Sequence, residues 1–218
     1  MDIADNILRS RLKNVYFIWG RGKTTIANAL REKYGFYVYS TDDSRLPHLK
    51  EASPQYQPYM CLDYQKQYGV RSLWELPKEI IREREQNFVK EMTPMILLDL
   101  IELSVQHDVI LCEGDIDYRV VLPLAVHTVY LCNRSTTFDW FARPDHEDIS
   151  KTIRKRTDLS EEEKQTIIEN ARNTVAKNEG VLPEWVLEFD VKSVIWDDTT
   201  SVEQTAAEVG AYFGFSEI

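Results

Sequence analysis

Short apolar runs alternate with amphipathic segments along the chain. Five of these runs lack polar alternation and are bounded by turn-forming or charged residues. They predict buried β-strands at Val15–Trp19, Phe36–Tyr39, Val109–Cys112, Thr128–Cys132 and Ser193–Trp196. Continuous apolarity is typical of strands that are covered on both faces, as in a parallel sheet. We therefore expect an α/β fold in which helices cover a central sheet.

Helix-start and helix-stop signals lie between these runs. Proline in a first helical turn, a capping box and a glycine after the last turn each mark a boundary. The predicted helices cover 22–34, a stretch that begins at Pro77, Met95–Val105 after a new start at Thr93–Pro94, Ser160 to about Gly180, and Ser201 to about Gly214. The polar stretch 44–72 is rich in Tyr and Pro and predicts short helices mixed with loops.

Composition narrows the class of protein. The chain has 218 residues, 43% hydrophobic and 28% charged, which suits one folded domain over 1–218. No apolar run reaches the ~18 residues of a membrane helix, and Met1–Asn6 lacks the features of a secretion signal. Three cysteines, two of them inside predicted strands, favour a reduced, cytoplasmic protein. Because 36 acidic residues face 26 basic ones, no nucleic-acid partner is expected.

The most specific chemistry lies where the first predicted strand ends. There an apolar strand runs into Gly-Lys-Thr-Thr, and a helix follows immediately. In a phosphate-binding loop, backbone N–H groups hold phosphate oxygens, the lysine reaches the β/γ-phosphates and the next hydroxyl binds Mg²⁺. We predict an ATP site formed by Gly20, Gly22, Lys23, Thr24 and Thr25, with Lys23 catalytic and Thr24 a Mg²⁺ ligand. The alternative is an ordinary strand–turn–helix with a chance Gly-Lys-Thr.

This loop is three residues shorter than the full pattern. Four residues normally separate the first glycine from Gly-Lys-Thr, whereas Arg21 alone separates Gly20 from Gly22. Either the loop is truly short and nucleotide binding is impaired or altered, or residues of a mobile loop are missing between Trp19 and Gly22. We favour the second interpretation, because the other parts of a nucleotide site are present.

With this loop placed, the chain resembles a small P-loop kinase, of the group that holds shikimate and gluconate kinases, chloramphenicol phosphotransferase and zeta-toxin-like kinases. The order of elements agrees over most of the chain, but only the phosphate loop is specific as a motif. The resemblance implies a three-layer P-loop NTPase fold with a five-stranded parallel sheet in the order 2-3-1-4-5. It also implies an acceptor-binding segment at about 44–76 and a mobile lid at about 138–158.

In such kinases, carboxylates follow the second and third strands. One orients or deprotonates the acceptor hydroxyl, and Asp42 matches it best, with Asp43 second; the alternative is that the pair caps the next helix. The other supports Mg²⁺, and Glu113 matches it best, with Asp115 in reserve. Here the alternative is a turn acid before Gly114.

The resemblance also implies a lid arginine that contacts the transferring phosphoryl group, where a planar bidentate donor stabilises negative charge. Arg143 is the first candidate and Arg134 the second. Arg154 and Arg156 are weaker candidates, because charge runs on helices are usually solvated faces.

Aromatic and basic side chains cluster between the second and third strands. Such rings can stack on a base, a sugar face or a drug-like ring, or they can simply pack a small irregular subdomain. The aromatic residues are Tyr56, Tyr59, Tyr64, Tyr68 and Trp74, and the basic ones are Arg45, His48, Arg71 and Arg82. The predicted substrate contacts are Asp42, Asp43, Arg45 and Tyr59.

Together these residues predict a Mg·ATP-dependent kinase that phosphorylates a hydroxyl of a small molecule, such as a metabolite, a sugar or an antibiotic. A nucleoside or nucleotide kinase is the near alternative, and it requires an arginine clamp that Arg45 with Arg71 or Arg82 would supply. A nucleotide-binding regulator or degenerate NTPase without transfer activity is the alternative that the short loop supports. The expected assembly is a monomer or a homodimer.

Overall fold

The five apolar runs form one parallel sheet in the order β2-β3-β1-β4-β5, which confirms the predicted topology. The computed structural model describes residues 3–134, 149–175 and 181–215. The strands are β1 (Val15–Gly20), β2 (Tyr37–Ser40), β3 (Ile110–Glu113), β4 (His127–Asn133) and β5 (Ser193–Trp196). Each strand begins and ends within one residue of the run that predicted it.

The register aligns the carboxyl ends of the central strands. Ile18 of β1 pairs with Glu113 of β3, and Glu113 pairs with Ser40 of β2. On the other side of β1, Gly20 lies opposite Leu131 of β4. Turns and side chains that follow these strands therefore meet along one edge of the sheet, where α/β proteins bind their ligands.

Helices connect the strands and pack on the sheet. They are α1 (Ile3–Arg11), α2 (Lys23–Tyr34), α3 (Thr41–Glu51), α4 (Tyr64–Tyr68), a 3₁₀ helix (Leu73–Glu75), α5 (Lys78–Leu103), α6 (Tyr118–Val121), α7 (Ile149–Arg154), α8 (Glu161–Val175), α9 (Glu184–Glu188) and α10 (Val202–Tyr212). The stretch 44–72 thus combines helices with loops, as predicted.

Side chains of β1 alternate between two apolar cores. Phe17 and Trp19 lie in the core that α5 covers, whereas Ile18 lies in the core that α2 and α10 cover. This burial on both faces explains why β1 is apolar at successive positions. A third, smaller cluster joins α7 and α8 to Trp74 in the 3₁₀ helix.

The predicted helix break at Thr93–Pro94 is wrong, because α5 runs through both residues. Pro94 cannot donate to the carbonyl of Lys90, but both residues are exposed, so water can replace the lost hydrogen bond. Thr93 Oγ1 donates to the Val89 carbonyl at 2.7 Å within the same turn. Burial of Met92 and Ile96 on the core side supplies packing that outweighs the local proline signal.

Both predicted capping boxes are present. At the start of α8, Ser160 Oγ accepts from the Glu163 N–H at 3.2 Å, and Glu163 Oε2 accepts from the Ser160 N–H at 2.7 Å. Ser201 and Gln204 make the same reciprocal bonds at the start of α10. The predicted end of the first of these helices near Gly180 lies outside the described residues.

Two of the three cysteines behave as small core residues. Cys112 in β3 and Cys132 in β4 are each 2% exposed, whereas Cys61 lies at the surface. Among the helices in the described ranges, none is both long enough and apolar enough to cross a membrane.

Candidate functional site

The chain turns from β1 into α2 at the predicted phosphate loop. Gly22 is the N-cap residue of α2 with φ 88°, and no side chain caps this helix end. The first N–H groups of a helix have no partner within it, so those of Lys23, Thr24 and Thr25 face outward from the start of α2. Together with the Lys23 ammonium, they give this helix end the donors and the positive charge that favour a phosphate.

A hydrogen bond joins the start of α2 to the end of β3. Thr24 Oγ1 donates to Glu113 Oε2 at 2.9 Å, which leaves the hydroxyl lone pairs for a cation. Hydroxyl and carboxylate oxygens suit Mg²⁺, which proteins commonly hold through one or two carboxylates plus substrate phosphates. The described residues contain no group of three or more His, Cys, Asp or Glu side chains suited to a metal ion. The hydroxyl of Thr24 and the carboxylate of Glu113 fit Mg²⁺ that would be held jointly with the phosphates of a nucleotide.

Glu113 is a buried carboxylate at the centre of this edge, with 1% of its surface exposed. Burial raises its pKa above the usual range, and the nearby Asp42 carboxylate adds to the rise. Hydrogen bonds from Ser40 and Thr24 and the charge of Lys23 act in the opposite direction. A cation bound here would relieve the cost of keeping Glu113 ionised.

Asp42 and Asp43 lie in the first turn of α3, directly after β2. The N-cap of this helix is Ser40, whose Oγ accepts the Asp43 N–H at 3.4 Å. The capping role that the sequence left open for the two carboxylates therefore belongs to Ser40. Both aspartates are exposed, and Asp42 is close enough to Glu113 to influence its pKa. Asp42 and Lys23 thus lie at the same end of the sheet, as the predicted site requires.

The turn itself differs from a full phosphate loop, because Arg21 and Gly22 alone join β1 to α2. The Arg21 N–H donates to the Leu131 carbonyl at 3.2 Å and so extends the sheet. Trp196 Nε1 donates to the Arg21 carbonyl at 3.1 Å, and a Cβ on Gly22 would lie 2.6 Å from the indole. In this geometry a phosphate would be contacted by the start of α2 and by Lys23. The expectation of further residues between Trp19 and Gly22 stays a prediction.

Of the predicted metal-binding and catalytic residues that remain, the structure describes Asp115 and Arg134 but not Arg143. Asp115, the reserve Mg²⁺ ligand, is exposed two residues beyond Glu113. Arg134 follows β4 directly, with an exposed side chain, and its N–H donates to the Trp196 carbonyl at 2.8 Å, which keeps it at the carboxyl edge. Arg143 lies outside the described residues, so its catalytic role stays a prediction.

Two of the predicted acceptor contacts, Arg45 and Tyr59, differ in how far their side chains are engaged by other residues. Arg45 forms an ion pair with Glu85 at 3.1 Å, and its guanidinium lies 4.1 Å from the centre of the Phe88 ring. Tyr59 is 40% exposed and is held through its N–H, which donates to Glu91 Oε1 at 3.2 Å. Arg45 therefore has structural partners, while the ring of Tyr59 faces solvent in part.

Two other candidate arginines join the acceptor segment to α8. Arg71 donates to the Asp158 carbonyl at 2.7 Å and forms an ion pair with Glu163. Arg156 donates to the Arg71 carbonyl at 2.9 Å and binds both carboxylate oxygens of Asp158. In this arrangement Arg71 and Arg156 stabilise the packing of the 3₁₀ helix on α8.

Sequence reasoning missed several polar contacts that join β2, α3, α5 and the loop after β3. Asp99 accepts hydrogen bonds from the Tyr39 hydroxyl at 2.5 Å and from His48 Nε2 at 2.8 Å, which links β2, α3 and α5. Thr41 is 1% exposed and contacts the loop after β3. The only sequence signal for that contact is Gly114, a glycine directly after the strand-end acid.

Comparisons with known proteins give no family assignment. No family model matches the chain, and no curated protein matches it. Among solved structures, it is similar to dephospho-CoA kinase from Campylobacter jejuni, with 14% identity, 93% of this chain and 97% of that chain covered, and a TM-score of 0.43. A sugar kinase from Janibacter sp. HTCC2649 is also 14% identical, with 94% and 96% covered and a TM-score of 0.37. Likenesses at this level do not bear on function, which we infer from the site alone.

Proposed function

We propose that this protein is a Mg·ATP-dependent phosphotransferase that acts on a hydroxyl group of a small molecule. One observation carries the proposal: Thr24 at the start of α2 donates to the buried Glu113 at the end of β3. This bond places a hydroxyl, a carboxylate and the preceding Lys23 together at the carboxyl edge. Phosphoryl transfer requires such positioning and charge stabilisation more than covalent chemistry from the protein.

Each group has a role in this proposal. The start of α2 and Lys23 bind the phosphates of ATP, while Thr24 and Glu113 would hold Mg²⁺, which when bound would neutralise charge on the phosphate oxygens. Asp42 orients the acceptor hydroxyl and accepts its proton as the oxygen bonds to the γ-phosphorus. The bond from that phosphorus to the bridging oxygen breaks, and ADP leaves. Arg134 and Arg143 are the proposed lid donors to the transferring group.

A second candidate function is nucleotide binding without transfer. It is favoured by the two-residue turn, in which the Arg21 N–H is bonded to Leu131 and Trp196 lies against Gly22. Such a turn supplies fewer N–H donors to a terminal phosphate than a full loop does.

The structure gives less support to a nucleotide as the acceptor. That function requires an arginine clamp of Arg45 with Arg71 or Arg82. Arg82 is exposed on α5, but Arg45 is paired with Glu85, and Arg71 is bonded to Asp158 and Glu163. Either clamp would break the contact of Arg45, and the clamp with Arg71 would also break the contacts of that residue. We therefore place a hydroxyl compound without a phosphate group ahead of a nucleotide.

The test is ADP release from Mg·ATP in the presence of pooled sugars, nucleosides and amino alcohols, followed by mass analysis of the pool. We expect acceptor-dependent ADP formation and a product heavier by one phosphoryl group. A Lys23→Ala variant serves as the inactive control. ATP binding without any phosphorylated product would favour the second candidate, and the absence of binding would reject both.

A further inference from the structure

Two buried threonine hydroxyls hold the loop that follows β3. Thr41 Oγ1 at the start of α3 accepts the Asp115 N–H at 2.8 Å, and Thr93 Oγ1 in α5 accepts the Asp117 N–H at 2.9 Å. The two threonines are 1% and 0% exposed, so neither bond competes with bulk water. This loop begins at Glu113, the proposed Mg²⁺ carboxylate.

The approach of Thr41 to this loop requires a glycine at position 114. Gly114 has φ +128°, a conformation that side chains with a Cβ rarely adopt. A Cβ at this position would lie 1.9 Å from Thr41 Oγ1. The hydroxyl of Thr41 therefore occupies the space that any other residue at position 114 would need.

This contact lies between the two carboxylates of the proposed reaction. Asp42 directly follows Thr41, and Glu113 directly precedes Gly114. The pairing of β2 with β3 ends at Ser40 and Glu113, so sheet hydrogen bonds no longer fix the chains beyond that point. Beyond that point, the hydrogen bond from the Asp115 N–H to Thr41 Oγ1 connects the two chains and orients α3 relative to the end of β3.

We infer that Thr41 is a positioning residue. It fixes the carboxylate of Asp42, which orients the acceptor hydroxyl, relative to the carboxylate of Glu113, the proposed Mg²⁺ ligand. This inference rests on the proposed function, because it assigns Thr41 a part in that reaction. Thr41 is buried and acts through Asp42 and Glu113, without touching ATP or the acceptor. A displacement of about 1 Å between reacting groups can lower the rate by a factor on the order of 10².

Thr93 supplies a matched control within the same loop. Its hydroxyl also accepts one backbone N–H, but at Asp117, four residues beyond Glu113, and it additionally bonds the Val89 carbonyl. Thr93→Val removes two hydrogen bonds, one from the Asp117 N–H and one to the Val89 carbonyl. Thr41→Val removes a single hydrogen bond, the one from the Asp115 N–H. If these hydroxyls served stability alone, the Thr93 variant would be impaired at least as much as the Thr41 variant.

The experiment compares Thr41→Val, Thr41→Ser and Thr93→Val with the unmodified protein. Transfer is measured as ADP release from Mg·ATP with the pool of sugars, nucleosides and amino alcohols, and the melting temperature is recorded for each variant. We expect Thr41→Val to lower kcat about tenfold or more while the KM for ATP changes little. Thr41→Ser should restore kcat, and Thr93→Val should lower the melting temperature while kcat per folded molecule is kept.

Hydrogen exchange at the Asp115 amide adds a readout that needs no acceptor. The amide should exchange faster in Thr41→Val and at the original rate in Thr41→Ser. An unchanged kcat in Thr41→Val would overturn the inference and leave the proposed function standing, as would a Ser variant as slow as the Val variant. An unmodified protein that transfers phosphate to nothing would instead reject the proposed function and, with it, the role of Thr41.

Discussion

At the scale of single residues, the roles proposed for Lys23 and Asp42 are separable. Lys23 lies in the first turn of α2, where the proposed function places the phosphates, whereas Asp42 lies in the first turn of α3, where it places the acceptor. Lys23→Ala should abolish transfer and weaken ATP binding, because it removes the positive charge that interacts with the β- and γ-phosphates. Asp42→Asn should keep the ATP affinity and lower kcat by a factor of about 10² or more. Calorimetric titration with ATP and steady-state rates check both outcomes, and equal loss of affinity in both variants would assign Asp42 to Mg²⁺ or to structure.

Glu113 should destabilise the protein when no cation is bound. Its pKa is raised by burial, so the folded protein holds this proton up to a higher pH than the unfolded chain does. Stability from that proton is present below the unfolded pKa and is lost as the pH rises through the folded pKa. Glu113→Gln should therefore melt at a higher temperature than the unmodified protein near pH 7 without Mg²⁺, and the difference should shrink as the pH falls.

Thermal unfolding as a function of pH measures this effect. Glu51→Gln is the control, since Glu51 is an exposed glutamate at the end of α3. An equal rise in melting temperature in both variants would mean that the change in net charge, and not the burial of Glu113, causes the effect. A lower melting temperature of Glu113→Gln would contradict the prediction.

At the scale of elements, we expect the short β1–α2 turn to limit phosphate binding. Arg21 and Gly22 alone connect these elements, and the Arg21 N–H is bonded to Leu131. Three glycines inserted between Gly20 and Arg21 should tighten ATP binding about tenfold, the size of one added charge-assisted hydrogen bond. The matched control is the same insertion after Gly35, in the α2–β2 turn, where a Cβ would meet nothing within 4 Å.

Titration with ATP and ADP measures both affinities. Equal affinities of the two inserted variants would show that the short turn does not limit binding. Peptide mapping across Trp19–Lys23 checks the separate expectation of further residues there. A peptide whose mass equals the mass calculated from the sequence would contradict that expectation.

At the scale of the whole molecule, α7 and α8 are attached to the acceptor segment. Trp74 packs on Ile153, Leu159 and Ile167, and Arg71 bonds the Asp158 carbonyl and Glu163. Arg71→Ala should raise amide exchange in α8 about threefold or more, the effect of one or two lost hydrogen bonds. Hydrogen exchange with mass analysis of peptides measures this change.

Lys164→Ala is the matched control for that experiment. It removes an ion pair with Glu161 inside α8 and leaves the contacts of Arg71 in place. Similar exchange in the two variants would mean that α8 is held by its own packing and not by the acceptor segment.

The amino-acid sequence by itself determined the strands, the sheet order implied by the resemblance, and the edge at which the site lies. Continuous apolar runs are typical of strands covered on both faces in an α/β fold, and parallel strands bring their carboxyl ends to one edge. Lys23 was predicted from the Gly-Lys-Thr motif after the first strand, and Asp42 and Glu113 from the resemblance, which implies carboxylates after the second and third strands. The capping boxes of α8 and α10 were equally readable, because their bonds join residues three positions apart.

Only the tertiary structure decided the features that depend on residues far apart in the chain. Packing of Met92 and Ile96 carries α5 through Pro94, although the local signal predicts a break. Glu85 neutralises Arg45, Trp196 lies against Gly22, and Thr41 meets Gly114. No local pattern encodes these contacts, because each partner follows ordinary preferences at its own position. Their energies arise only when folding removes water from both sides and brings distant groups within hydrogen-bonding or van der Waals distance.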